Sequence, residues 1–458
     1  MNKGLGRLLV LAAFAAGLAL TGCGPSGGGT GETAAGETAA YTKADATHEV
    51  EVASFQGGYG IDFFQAAGEE WAKESGRKVK VWGDPRVWEK LRPRFVAGDV
   101  PDLAWPGWGM DYWALVYDDQ LAAWDAALDS PAHGQTEGKW RDSFDAGLLK
   151  MGMHEGKTYM LPYHVNINGW WYNKTLFEKN GWTPPTTWDE LIALNDKIKA
   201  KGIAPLTFQG QYPFYMLSGF IYPLIISHGG IEAWNACQNL EEGAWTSESV
   251  ILAATKAQEL VKRGDFMQGS IGLNHTDSQA AFYEGKAAMI PCGSWLHAEM
   301  ENYRKDMKGP IPVAEFMRVP NLTGGKGDPT AIQVGIEPFV IPSGAKDNSA
   351  GIEIYKFMTS PEKAKEFVEK KGTLMAVKAA EGVKYPSHLV RAAEIFDGAQ
   401  TKWHSDFRQW YPTLGKEAEN AMAALLGGDI TPQQFGERIE KEAAKVRNDK
   451  NIIKRKVD

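Results

Sequence analysis

From His48 onward the apolar residues alternate between two spacings, and this alternation limits the fold more than any other feature. Val50, Val52 and Phe55 have the two-residue period of a short strand. Ile61, Phe64, Ala67 and Trp71 then recur at helical spacing. Val79 to Trp82 is predicted as a second strand. Trp88, Leu91 and Phe95 are predicted as a second helix closed by Gly98, and Asp102-Leu103-Ala104-Trp105 as a third strand. Strand, helix, strand, helix, strand at these spacings implies a parallel α/β sheet. In such sheets ligands bind beyond the carboxyl ends of the strands. Here those ends are the loops Gln56-Gly57-Gly58-Tyr59-Gly60 and Pro106-Gly107-Trp108-Gly109. The 458 residues amount to about three ordinary domain lengths, so two domains are expected rather than one core. Later helix starts are marked by Thr187-Trp188-Asp189-Glu190, Ser360-Pro361-Glu362 and Thr431-Pro432-Gln433-Gln434. In each, a hydroxyl can cap the first turn.

The N-terminus reads as an address. Lys3 and Arg7 precede a 13-residue apolar run over residues 8–20, too short for a durable membrane span. The run ends Leu20-Thr21-Gly22-Cys23, which looks like a bacterial lipobox. Residues 1–22 are therefore expected to be a lipoprotein signal peptide and Cys23 the lipidated mature N-terminus. Residues 23–47 are rich in Gly, Ala, Ser and Thr without apolar periodicity, so a flexible tether is expected there. The expected location is extracytoplasmic, anchored to the membrane by the N-terminal lipid.

Several chemistries find no support in the chain. A net charge of −8 lacks the footprint of a nucleic-acid binder. No nucleophile elbow, phosphate loop or dinucleotide fingerprint occurs. The nine His are scattered without metal-ligand spacing, so no metal, cofactor or catalytic residue is expected. Cys237 and Cys292 are equally compatible with a disulfide or with two buried thiols. Paired carboxylates stay open, because 57 acidic residues allow many pairs suited to glycoside hydrolysis.

The 17 Trp exceed ordinary usage. Many lie beside amides in Gly- and Pro-rich stretches: Trp105-Pro106-Gly107-Trp108, Tyr163-His164-Val165-Asn166-Ile167-Asn168, and Gln209-Gly210-Gln211-Tyr212-Pro213-Phe214-Tyr215. Sugars present flat C–H faces rimmed by hydroxyls. Flat aromatic rings and planar amides or carboxylates are what a cleft needs to hold them. Any single Trp is better read as core, but the three clusters together point to a carbohydrate cleft.

Four segments, in order, carry a family resemblance. They are Phe95-Val96-Ala97-Gly98-Asp99-Val100-Pro101-Asp102-Leu103; then Gly156-Lys157-Thr158-Tyr159-Met160-Leu161-Pro162 with Trp171-Tyr172-Asn173-Lys174 and Pro185-Thr186-Thr187-Trp188-Asp189-Glu190-Leu191; then Ala281-Phe282-Tyr283-Glu284-Gly285-Lys286-Ala287-Ala288-Met289 with Gly293-Ser294-Trp295; and finally Ile341-Pro342-Ser343-Gly344 with Ser360-Pro361-Glu362. Over roughly residues 48–445 the chain resembles the family 1 extracellular solute-binding proteins that feed ABC sugar importers. Residues 162–173, 202–213 and 290–296 look most like the N-acetylglucosamine and diacetylchitobiose binders.

The resemblance implies an α/β fold of two lobes with a hinge and an interlobe cleft. One lobe would be 48–162 plus 311–371, the other 163–310 plus 372–458. It implies a monomer that captures a carbohydrate, closes, and delivers it to an ABC permease. It also ranks the ligand-binding residues. Trp295 matches the sugar-stacking position after Gly-Ser, and Trp410 resembles the late aromatic that closes the cleft, with Trp403 its rival. Tyr59 and Trp108 lie on the strand-end loops. Tyr163, Asn166, Gln209 and Tyr212 are candidates from the second lobe, and Glu337 is a carboxylate acceptor for sugar hydroxyls. The alternatives are a secreted glycoside hydrolase and a binder of a non-sugar solute.

Overall fold

The computed structural model describes residues 41–378 and 382–457; the signal peptide and Cys23 lie outside the described residues. Within residues 41–47, the described end of the expected tether, Tyr41 and Thr42 are bonded to the body while most of the rest is exposed. Tyr41 donates its hydroxyl to the Ala123 carbonyl at 2.9 Å, and Thr42 donates to that of Ala345 at 2.8 Å. The aromatic ring of Tyr41 accounts for the difference, because it rests against the apolar core while its neighbours are small or polar.

The opening alternation forms as expected. β1 (Val50–Phe55), α1 (Asp62–Ser75), β2 (Val79–Asp84), α2 (Val87–Ala97) and β3 (Leu103–Trp105) follow one another. The sheet has the order β2-β1-β3 and is parallel throughout. Both helices stop at a left-handed glycine, Gly76 after α1 and Gly98 after α2, where a side chain would be strained. A parallel sheet must be covered on both faces. Val50 and Val52 feed one core with Phe63, Phe64 and Trp71 of α1, while Ala53 and Ala104 feed another with Val87, Leu91 and Trp113.

The second sheet has seven strands and is built on one long strand, Leu161–Asn173. It pairs antiparallel with the return strand Ile332–Phe339, with Ala287–Gly293, with Ala314–Met317 and with Leu374–Met375. The long strand serves two cores. Leu161, Tyr163, Val165 and Ile167 enter the core shared with α1, whereas Trp170 and Tyr172 enter a second, mainly helical core with Trp188, Tyr222, Trp234, Trp245 and Phe407. The architecture is two lobes of mixed α/β structure. The capping boxes at Thr187 and Thr431 both form, and Ser360 caps its helix through the Lys363 N–H. Cys237 and Cys292 are both free and buried.

Candidate functional site

A cleft of about 810 Å³ opens beyond the carboxyl ends of β1 and β3. That is ample for a small oligomer by the usual size of ligand pockets. The two loops anticipated from the strand ends line it, through Gly57, Gly58 and Tyr59 on one side and Trp108 and Gly109 on the other. Phe214, Tyr215, Trp295 and Arg408 line it as well, the first three packing with the core shared with α1. The return strand runs along its floor from Gln333 to Pro338, beside Asn166 and Asn168 of the long strand.

The floor is polar, and only part of its hydrogen-bonding capacity is used. Asn166 donates Nδ2–H to Glu337 Oε1 at 2.5 Å and accepts from the Tyr59 hydroxyl at 3.3 Å. His164 Nε2 stands 3.6 Å from the same Glu337 oxygen. Glu337 is 5% exposed, and its Oε2 has no hydrogen-bond partner among the described residues. Burial above all, with the Glu337 charge adding to it, pushes the Tyr59 phenol well up, so it stays a neutral donor. Glu299, on the wall, accepts from Gln279 Nε2 at 2.6 Å, and Arg408 pairs with Glu419 at 2.9 Å while lying over Phe214. Among the described residues no cluster of His, Cys, Asp or Glu is arranged to hold a metal.

Five of the nine candidate ligand residues line this cleft: Tyr59, Trp108, Asn166, Trp295 and Glu337. The other four do not. Tyr163 is wholly buried, donating to the Met358 carbonyl at 3.2 Å, because strand alternation turns it to the core. Gln209 is also fully buried and donates to the Pro291 carbonyl at 2.9 Å. Tyr212 stands on the surface, 41% exposed, with its ring 5.3 Å from His275. Trp410 is wedged between the helical core and the core beneath β3, and its rival Trp403 is buried. Sequence reasoning missed Asn168, Gln333, Gly335, Tyr215 and Glu299. The first three carry a legible signal, since Gln333, Gly335 and Glu337 share one face by strand alternation and Asn168 and Asn166 share the facing strand. Tyr215 and Glu299 sit on short helices, and only the chain's path brings them to the cleft.

Residues 57–365 match the family described as bacterial extracellular solute-binding protein. The chain is 30% identical to the diacetylchitobiose binding protein NgcE of Streptomyces coelicolor over 90% of this chain and 88% of that one. It is 24% identical to the multiple sugar-binding protein of Streptococcus mutans over 66% and 68% of the two chains. In three dimensions it resembles a solved chitin oligosaccharide binding protein with a TM-score of 0.69 and 22% identity, over 86% of this chain and 98% of that one. No helix among the described residues is long and apolar enough to cross a membrane. The match over residues 57–365, the two-lobe architecture and the cleft agree: the chain belongs to the bacterial extracellular solute-binding protein family.

Proposed function

We propose that this protein is the binding component of a carbohydrate ABC importer and that its ligand is a short N-acetylated sugar such as diacetylchitobiose. The observation that carries the reading is the pairing of aromatic walls with an amide and carboxylate floor, in a chain 30% identical to a diacetylchitobiose binder. Trp295 and Trp108 offer flat faces for sugar C–H surfaces. Asn166 and Glu337 offer planar acceptors and donors for hydroxyls. Tyr59 holds the Asn166 amide in orientation.

On this reading the protein binds without turning its ligand over. The lobes, 48–162 with 311–371 and 163–310 with 372–458, close about the strands they share, and the permease reads the closed shape. The protein acts as a monomer outside the cytoplasmic membrane, tethered through lipid on Cys23. Calorimetric titration with N-acetylglucosamine, diacetylchitobiose, maltose, cellobiose and xylobiose tests the ligand class. Tightest binding to an N-acetylated sugar that is recovered intact is expected. Tighter binding to an unacetylated sugar would sink the ligand assignment, and cleavage of any oligomer would sink the reading as a binding protein.

A further inference from the structure

The return strand Ile332–Phe339 turns Val334 and Ile336 into the core and presents its other face, Gln333, Gly335 and Glu337, to the cleft. Their register partners on the long strand are Asn168, Asn166 and His164. Gln333 is 7% exposed and Glu337 5%, and Gln333 Oε1, like Glu337 Oε2, has no partner among the described residues. Buried acceptors are seldom left unpaired unless a ligand or water completes them. Between the two, a Cβ added at Gly335 would meet no atom within 4 Å, so bare backbone faces open space. Four residues of strand separate Gln333 from Glu337 by about 13 Å, enough for two 1,4-linked pyranose rings end to end. Gln333 and Asn168 also line a recess of about 20 Å³ walled by Pro223, Ile226, Val319 and Trp403 and by the polar Ser227, Asn321 and Asp328, with room for one small group.

We propose that this strand face is a two-ring sugar floor and that Gln333, with the recess behind it, reads an acetamido group; the second half rests on the ligand reading above. Gly335 lets a ring lie against the backbone. Glu337 Oε2 accepts from a ring hydroxyl at one end. At the other end, Gln333 Oε1 accepts the acetamide N–H while the methyl enters the recess. An unacetylated sugar of the same linkage leaves Gln333 Oε1 unpaired and the recess unfilled.

The test is calorimetry on the full-length chain with diacetylchitobiose and with cellobiose, which carries hydroxyls where the former has acetamides. Gly335→Val is expected to abolish binding of both at an unchanged melting temperature, with Gly335→Ala as the milder variant should Val disturb the strand. Gln333→Met is expected to weaken diacetylchitobiose by about tenfold, the scale of one hydrogen bond in a closed site, and to leave cellobiose within about twofold. Wild-type affinity in both Gly335 variants overturns the floor, whichever sugar binds. Equal losses for the two sugars in Gln333→Met, or no loss, overturn the acetamide role. A wild-type preference for cellobiose overturns the acetamide role together with the ligand reading, and Gly335→Val assayed on cellobiose then still judges the floor. Binding of neither sugar by the wild type overturns the whole proposal.

Discussion

Asn166 Nδ2 donates to Glu337 Oε1 at 2.5 Å across neighbouring strands, so one carboxylate oxygen is held by the protein while the other, Oε2, is buried with no partner among the described residues. Glu337→Gln keeps the side-chain shape but replaces a charged acceptor by a neutral amide. Hydrogen bonds to charged groups are worth roughly twice neutral ones, so sugar affinity should fall by about tenfold with little change in melting temperature. Asn166→Ala should cost both affinity and stability, because it leaves the buried Glu337 carboxylate without the amide that donates to it. Titration calorimetry and thermal melts of the two variants check this. Undiminished affinity in Glu337→Gln would remove Glu337 from the site.

Gly293 lies beneath the Trp295 ring, and a Cβ added there would overlap the indole. Gly293→Ala should therefore displace Trp295 from the cleft wall and weaken sugar binding about as much as Trp295→Ala does, roughly tenfold for a lost aromatic face. Tryptophan fluorescence during sugar titration is the readout. A normal ligand-induced signal in Gly293→Ala would show that the indole is not part of the wall.

His297 and His388 stack face to face with centroids 3.6 Å apart, beside Arg304. Burial, then the neighbouring His388 and Arg304, pushes His297 down to about 3; burial and Arg304 push His388 down to about 4. Both rings are thus held neutral in the fold and take up protons more readily once unfolded. Their contribution to stability is fully present above the ordinary value of 6.5 and is lost as pH falls from there, through about 4 for His388 and about 3 for His297. Melting temperature should decline over that window, and more gently in His388→Phe, which removes one of the two titrating rings. Parallel pH profiles for the wild type and variant would refute the assignment.

Arg455, near the C-terminus, places its guanidinium 4.9 Å from the Tyr117 ring, 5.3 Å from Trp113 and 6.0 Å from Trp410. Its backbone N–H donates to the Tyr411 hydroxyl at 2.8 Å. The side chain therefore fastens the C-terminal strap to α3 (Tyr112–Tyr117) and to the wedge formed by Trp410. Arg455→Ala should destabilise the fold by about 2 kcal/mol, and Arg455→Lys should recover only part, since an ammonium cannot stack as a planar guanidinium does. Urea denaturation of the two variants measures the difference.

Cys237 and Cys292 are buried, and burial pushes both thiols well above their ordinary range. Neither should react with a thiol reagent in the native protein, and both should react after denaturation. A reductant should leave the melting temperature unchanged. Rapid labelling of the folded protein would contradict this burial.

The β1-α1-β2-α2-β3 order, its parallel sheet, the Gly98 stop of α2 and the three helix caps were readable from residue order, because each depends on neighbours within a few positions. The loops carrying Tyr59 and Trp108 were readable for the same reason, since strand polarity says which loops gather at one edge. Which aromatics meet the cleft was not. Tyr163 and Asn166 are three residues apart on one strand, so alternation sends one to the core and the other to the floor, and only the return strand's register decides which face is which. Gln209, Tyr212 and Trp410 look like cleft residues by composition, yet long-range packing spends the first on the Pro291 carbonyl, leaves the second on the surface and wedges the third between two cores. Local periodicity determines the elements. The pairing of Leu161–Asn173 with Ile332–Phe339, some 170 residues further along the chain, decides which side chains face the cleft, and no local pattern encodes that pairing.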